Sequence, residues 1–144
     1  MKTVRLNQAS ATAVKAARAA GQLMLTNWHQ HKRVNFSDAH DIKLELDVRC
    51  QKLIGKILRS AFPDIPILGE EGDTGNVNAE YRWVVDPIDG TVNYAFGIPH
   101  AAVSIALQSN SDQWLVAGDK INTRSRLPRR AVGFWGTRCA GFCR

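Results

Sequence analysis

The sequence predicts an α+β or layered α/β fold, in which two helices are followed by several strands of one sheet. Residues 10–30 are rich in alanine, and their apolar side chains recur at helical spacing. Residues 41–60 carry a second apolar stripe of the same kind. Short apolar runs at residues 65–69, 83–85 and 101–107 are bounded by turn-forming residues, which is typical of buried strands. Helices followed by strands indicate that the helices pack on the face of a sheet.

The segments between these elements are rich in polar and turn-forming residues. A polar loop is predicted at residues 32–40, between the two helices, and a turn-rich connector at residues 73–80. A further loop at residues 94–100 contains Gly97 and Pro99, and another strand is predicted to begin at residues 114–117.

Length and composition narrow the class of protein. A chain of 144 residues is long enough for one domain with a substantial core. No apolar run approaches the roughly 18 residues of a membrane-spanning helix, and the first residues lack the apolar centre of a signal peptide. Three cysteines, an odd number, do not favour a secreted disulfide scaffold. We therefore expect a cytoplasmic protein without a membrane partner.

The positive charge is concentrated at one end of the chain. Residues 119–144 contain seven Lys or Arg and one acid, whereas residues 1–118 contain twelve of each sign, so the tail carries the whole net charge of +6. The tail also lacks a sustained period of either a helix or a strand. The sequence thus predicts a folded part at 1–118 and a basic, disordered or aberrant tail at 119–144. A basic tail could bind nucleic acid, but a solvated segment is the preferred interpretation.

Acidic residues mark the end of one predicted strand. The apolar run 83–85 stops at Asp86, and Pro87 lacks a backbone N–H, so we expect the strand to end there. The bend forced by Pro87 can bring the carboxylates of Asp86 and Asp89 together. An ordinary Asp-Gly turn is the alternative interpretation of this string.

The turn after these acids is suited to phosphate. Gly90 permits a tight turn and a close approach of a ligand, and Thr91 is predicted to cap a helical turn whose free N–H groups would face an anion. Two carboxylates about 4 Å apart repel by roughly 4 kcal/mol at an effective dielectric of 20, so a proton or a cation must lie between them. Ligands that are all oxygen favour Mg²⁺.

Two other segments supply further acids. Glu70 and Glu71 end the apolar run at 65–69, which is a natural neighbour for the strand before Asp86. Asp47 lies beside the apolar stripe of the second helix, where an unpaired acid would be costly. The alternatives are a solvated turn for the two glutamates, and for Asp47 an ion pair with Arg49 or Lys43.

These residues resemble the inositol monophosphatase family of Mg²⁺-dependent, lithium-sensitive sugar-phosphate phosphatases. The resemblance covers about residues 9–118 and rests on two strings, Gly69-Glu70-Glu71 and Asp86-Pro87-Ile88-Asp89-Gly90-Thr91-x-Asn93. It implies the N-terminal part of an α-β-α-β sandwich. It also implies a phosphomonoesterase that hydrolyses inositol monophosphate or a related sugar phosphate with a metal-activated water, and that forms a homodimer.

The resemblance also assigns roles to individual residues. The Mg²⁺ ligands would be Glu70, Asp86, the carbonyl of Ile88 and Asp89. Asp47 and Thr91 would orient and deprotonate the attacking water. The backbone of Gly90 and Thr91 would hold the phosphate, with Glu70, Ile88 and Asp89 completing the substrate site.

Family members continue beyond this point with a second α/β half. That half carries another metal-binding aspartate and the residues that contact the hydroxyls of the substrate, and residues 119–144 contain no counterpart. We therefore expect marginal stability and weak or absent turnover. A catalytically inactive chain that binds metal, phosphate or a partner is the alternative function.

Overall fold

The computed structural model describes residues 3–37, 42–72, 76, 79–109, 114–121 and 135–136. Two long helices precede a mixed five-stranded sheet, which confirms the α+β layered class. In chain order the elements are α1 Thr3–Asn27, β1 Val34–Ser37, β2 Ile42–Leu44, α2 Glu45–Ala61, β3 Ile67–Gly69, β4 Tyr81–Asp89, α3 Thr91–Ala95, β5 Ala101–Ser109, β6 Trp114–Ile121 and β7 Trp135–Gly136.

The sheet has the strand order β3-β4-β5-β6-β7. β3 is parallel to β4, and the other neighbouring strands are antiparallel. The parallel pair aligns Gly69 with Val85. Because parallel strands end at the same edge of a sheet, the acids that follow these two residues, Glu70 and Asp86, become neighbours.

α1 begins and ends earlier than the sequence indicated. It covers Thr3–Asn27 instead of residues 10–30, and its buried face consists mostly of alanine. Such small side chains allow α1 to pack closely against α2, β5 and β6. Beyond its last residue, the ammonium of Lys32 donates to the carbonyl oxygen of Trp28 at 2.9 Å, which satisfies a carbonyl group at the end of the helix.

A β-hairpin replaces the loop and the early helix start that were predicted between the two helices. β1 pairs with β2 in antiparallel fashion, and Val34 lies opposite Leu44. The predictions of a loop at 32–40 and of a helix from Asp41 were therefore wrong for these segments. Val34-Asn35-Phe36-Ser37 and Ile42-Lys43-Leu44 alternate apolar and polar residues, which is the period of a strand. α2 begins only at Glu45.

β4 continues through Pro87, contrary to the prediction that the strand would end at Asp86. Asp86 pairs with Ser104, but the next pair joins Asp89 to Ala102, so β4 contains one extra residue. Such a bulge leaves residues outside the hydrogen-bond ladder, and Pro87 is accommodated there because its missing N–H is not required.

The core lies between α1, α2 and the sheet. Its largest fully buried side chains include Trp83 on β4 and Ile54 and Leu58 on α2, and Cys50 of α2 is also buried, as predicted. The rings of Phe62 and Trp83 meet edge to face, 5.9 Å between centroids. β6 continues to Ile121, beyond the boundary at residue 118 that the composition suggested. Within the described residues, no helix is long and apolar enough to cross a membrane.

Candidate active site

Glu70 and Asp86 meet at the edge of the sheet where β3 and β4 end side by side. The N–H of Glu70 donates to the carbonyl oxygen of Val85 at 3.3 Å, which extends the parallel ladder by one residue. Besides burial, the charge of the neighbouring Glu70 carboxylate raises the pKa of Asp86. Asp86 is half-buried, whereas Glu70 and Asp89 are exposed. Two acids predicted from separate strands are therefore close enough to interact electrostatically.

The surroundings of Asp86 favour its neutral form. The pKa of Asp86 is raised to about 7, mainly by burial and then by the negative charges of Glu70 and Asp89. The N–H of Ile88 donates to Asp86 Oδ1 at 3.1 Å and opposes this shift. Near neutral pH a proton therefore relieves the repulsion between these carboxylates for part of the population.

Asp47 lies at the third position of α2 and is 2% exposed. Its Oδ2 accepts the backbone N–H of Leu44 at 2.6 Å, a side-chain cap at the helix start. The pKa of Asp47 is raised to about 6, mainly by burial and in smaller part by the negative charges of Glu71 and Glu70, while the hydrogen bonds from Leu44 and Thr91 oppose the shift. Asp47 is thus an acid whose pKa lies close to neutrality.

The alternative ion pair for Asp47 is not found in the described part of the chain. Nη1 of Arg49 lies 3.5 Å from Oδ1 of Asn27 instead. The side chain of Lys43, the other proposed partner, lies outside the described residues.

Thr91 connects Asp47 to the acidic end of β4. Its hydroxyl lies 2.8 Å from the carbonyl oxygen of Ile88 and 3.4 Å from Asp47 Oδ1. The sequence had predicted Thr91 as the N-cap of the following helix, and this was wrong. Gly90 occupies the N-cap position, and Thr91 is the first helical residue, so its hydroxyl is directed to other segments.

The turn at Gly90 requires glycine. Its φ is 87°, in the left-handed region, and a Cβ at this position would lie 2.8 Å from the carbonyl oxygen of His100. The amide of Asn93 donates to the same carbonyl oxygen at 3.0 Å, and the N–H of Tyr94 donates to Gly90 at 3.0 Å. These contacts hold the backbone that was predicted to bind phosphate.

Gln51 supports the site and was not predicted from the sequence. It is buried one helical turn after Asp47, and its Oε1 accepts the N–H of Glu71 at 2.8 Å. A Cβ at Gly69 would lie 2.5 Å from the Gln51 amide, so this glycine makes room for it. The available signal was a polar residue four positions after Asp47 on the same face of the helix.

The predicted metal ligands are not arranged as a complete metal-binding site. Within the described residues, no three His, Cys, Asp or Glu side chains are arranged to hold one metal ion. The three histidines described, His29, His31 and His100, are exposed, as expected for residues outside the site. The assignment of Glu70, Asp86, Ile88 and Asp89 as metal ligands stays a prediction. Its support is the chemistry of the donors, three carboxylates and one carbonyl at adjoining strand ends.

A protein-family sequence model described as "Inositol monophosphatase family" matches residues 5–118. The chain belongs to the inositol monophosphatase family. This confirms the resemblance inferred from the two acidic strings.

Individual relatives agree with this assignment. The chain is 42% identical over 99 residues to Nus factor SuhB of Pseudomonas aeruginosa, covering 65% of this chain and 36% of that protein. It is 38% identical over 99 residues to inositol monophosphatase 1 of Solanum lycopersicum, covering 66% of this chain and 36% of the relative. The crystal structure of extragenic suppressor protein SuhB from Bartonella henselae matches with a TM-score of 0.65 at 30% identity, over 74% of this chain and 47% of that one. The chain thus spans about a third of the length of the curated relatives.

Proposed function

We propose that the chain is a Mg²⁺-dependent phosphomonoesterase that hydrolyses inositol monophosphate or a related sugar phosphate. The observation behind the proposal is that Glu70 and Asp86 lie at adjoining strand ends, close enough for the charge of Glu70 to add to the effect of burial in raising the pKa of Asp86, with Asp47 and Thr91 joined to the same strand end. Acids that approach this closely need a proton or a cation between them, and Mg²⁺ fits a set of oxygen donors. The relatives named inositol monophosphatase support this substrate class.

Glu70, Asp86, Asp89 and the carbonyl of Ile88 would hold the metal. When bound, Mg²⁺ supplies a Lewis acid that polarises the phosphoryl oxygens, lowers the pKa of the attacking water and stabilises the leaving alkoxide. Exposed Glu70 and Asp89 can change rotamer at little cost, whereas half-buried Asp86 is fixed by its bond from the Ile88 N–H.

Asp47 and Thr91 would position the attacking water and accept its proton. Thr91 has one hydroxyl proton and two possible acceptors, Asp47 Oδ1 and the Ile88 carbonyl oxygen. The shorter hydrogen bond is to Ile88. With the Ile88 carbonyl engaged elsewhere, the Thr91 hydroxyl is free to donate to Asp47, and its oxygen can accept a hydrogen bond from the water. The Thr91 proton would pass to Asp47 as Thr91 takes one from the water, which leaves Asp47 protonated and the water as hydroxide. A carboxylate with a pKa of about 6 is well matched to general-base work near neutral pH.

The rigid turn at Gly90 would bring backbone N–H groups to the phosphate. The left-handed φ of Gly90 and the close approach of the His100 carbonyl oxygen allow only glycine at this position. We also propose a cytoplasmic location. We propose a homodimer as well, and analytical ultracentrifugation would measure this oligomeric state.

Phosphate release from inositol 1-phosphate in millimolar Mg²⁺ tests the proposed function. We expect Asp86→Asn to lower the rate at least about a hundredfold, because it removes a charged metal ligand without changing the size of the side chain. Asp64→Asn is the matched control, since Asp64 is an exposed acid outside the site.

Equal rates in the wild type and in Asp86→Asn would contradict the proposal. No release from the wild type, combined with Mg²⁺ binding that Asp86→Asn weakens, would favour the alternative, a metal- and phosphate-binding chain without turnover.

A further inference from the structure

A cavity of about 320 Å³ lies between the end of α1, with the residues that follow it, and the first turns of α2. Tyr94 and Leu44, both buried, form apolar parts of its wall. Among the described residues, the predicted metal ligands and Asp47 do not line it. Its volume is at the lower end of the range for small-molecule sites.

The lining of this cavity is basic. Lys32, Arg33 and Arg49 contribute three positive charges, and the only acid in the described lining is Glu45. Nη1 of Arg33 lies 3.7 Å from a carboxylate oxygen of Glu45, so one positive charge is already balanced. The acidic strand ends repel anions in the absence of metal, whereas this cavity attracts them.

Lys32 is held in position before any ligand arrives. Its ammonium donates to the carbonyl oxygen of Trp28 at 2.9 Å and lies 5.6 Å and 5.4 Å from the ring centroids of Trp28 and Tyr94. An ammonium group has three N–H donors, and the bond to Trp28 uses one. A pre-positioned cation loses little side-chain entropy when it binds an anion.

Leu44, Glu45 and Leu46 line the cavity as the N-cap and first two residues of α2. The N–H groups of Leu44 and Glu45 are already bonded, to Asp47 Oδ2 and to the Arg33 carbonyl oxygen, so the positive charge of this wall comes from the lysine and arginine side chains. The amides of Asn27 and Gln30 supply uncharged donors and acceptors at the opposite wall.

We propose that this cavity binds a small organic anion with two or more negative charges. Phosphate monoesters and di- or tricarboxylates share this chemistry, and guanidinium groups can bind either class through paired hydrogen bonds. The volume admits a compact metabolite and excludes a dinucleotide. The described lining contains none of the proposed hydrolytic residues, although Leu44 and Leu46 adjoin Asp47. The existence of the anion site does not depend on the proposed function.

Backbone amide NMR of the full chain can locate the bound anion. Inorganic phosphate and tricarballylate would be titrated separately to millimolar concentration, after metal has been removed on a chelating resin so that no metal recruits phosphate to the acidic site. We expect the amide signals of Lys32, Leu46 and Arg49 to shift, with little change at Gly90. A response to only one of the two probes would identify which class of anion the cavity prefers.

Arg49→Gln should weaken binding at least about tenfold, because it removes a charge and a fork of donors. Arg18→Gln is the matched control, since Arg18 is exposed on α1 outside the cavity, and it should bind as the wild type does. If Arg49→Gln fails to fold, Arg33→Gln takes its place, because the Arg33 side chain is 79% exposed.

The proposal would be overturned if neither probe shifts the amides of the cavity. It would equally be overturned if both arginine variants bind like the wild type, or if phosphate shifts Gly90 and Thr91 instead.

Discussion

At the scale of single residues, Thr91 links the acid of α2 to the acids of β4. Replacing Thr91 by Val keeps the shape of the side chain but removes the hydroxyl that contacts Ile88 and Asp47. We expect phosphate release to fall about a hundredfold in Thr91→Val, because the hydroxyl would orient the attacking water. The rate is measured across pH 5 to 8, and the wild-type rate should rise through about pH 6 as Asp47 ionises.

Thr26→Val is the control for this substitution. Thr26 is an exposed residue of α1 whose hydroxyl donates within its own helix. Its variant should keep both the rate and the pH profile of the wild type. A Thr91→Val variant with the wild-type rate would exclude a role for the hydroxyl in the reaction.

The identity of the acidic residues could be predicted from sequence, but their protonation could not. Strand ends at Glu70 and Asp86 and a motif of high specificity indicated which acids belong together. The position of Asp47 beside the apolar stripe already suggested its burial, but the extent to which the pKa values of Asp47 and Asp86 are raised depends on packing between α2 and the sheet, which one-dimensional spacing does not encode. The role of Gln51 could not be predicted either, because its hydrogen-bond partner is a backbone N–H twenty residues further along the chain.

At the scale of elements, the turn between β4 and α3 carries a testable steric requirement. Gly90→Ala combines a left-handed φ with a Cβ placed 2.8 Å from the His100 carbonyl oxygen. We expect a loss in the free energy of unfolding of about 2 to 4 kcal/mol, from backbone strain plus displacement of the neighbouring strand. Urea unfolding at equilibrium measures this loss.

Gly97→Ala is the matched control for the steric part. Gly97 also has a left-handed φ, 71°, but nothing lies within 4 Å of a Cβ built there. We expect a loss of only about 1 kcal/mol from the φ alone. Equal losses in the two variants would show that the contact with His100 does not constrain the turn.

Element types were predicted better than element limits. The helices were predicted from their apolar periodicity and the buried strands from their apolar runs. The strands β1 and β2 have only four and three residues, too few to be distinguished by sequence from the helical pattern beside them. β4 extends past Pro87 because a bulge in the pairing with β5 accommodates the missing N–H, and a bulge is a property of two strands together.

At the scale of the whole molecule, the buried acids make stability depend on pH. The pKa values of Asp47 and Asp86 are raised to about 6 and about 7, so the folded chain binds protons more tightly than the unfolded chain. Their contribution to stability is present at low pH and is lost as the pH rises through these values. In EDTA we expect the free energy of unfolding to be about 2 kcal/mol lower at pH 8 than at pH 5. This is less than the two pKa shifts would give together, because solvent screens the half-buried Asp86.

Denaturant titrations at the two pH values check this dependence. The difference should shrink in Asp47→Asn and in Asp86→Asn, since each removes one of the titrating groups. It should also shrink in millimolar Mg²⁺ if the cation stabilises the charged carboxylates. Greater stability at pH 8 than at pH 5 in EDTA would contradict the assigned direction of both pKa shifts.

If acids from separate segments of this fold together bind a hard cation, calorimetric titration of Mg²⁺ into the full chain should detect it. We expect saturable binding that weakens at least about tenfold in Glu70→Gln and in Asp86→Asn, and that is unchanged in Glu80→Gln, an exposed acid outside the proposed ligand set. Absence of Mg²⁺ binding by the wild type, or equal affinity in Asp86→Asn, would contradict it.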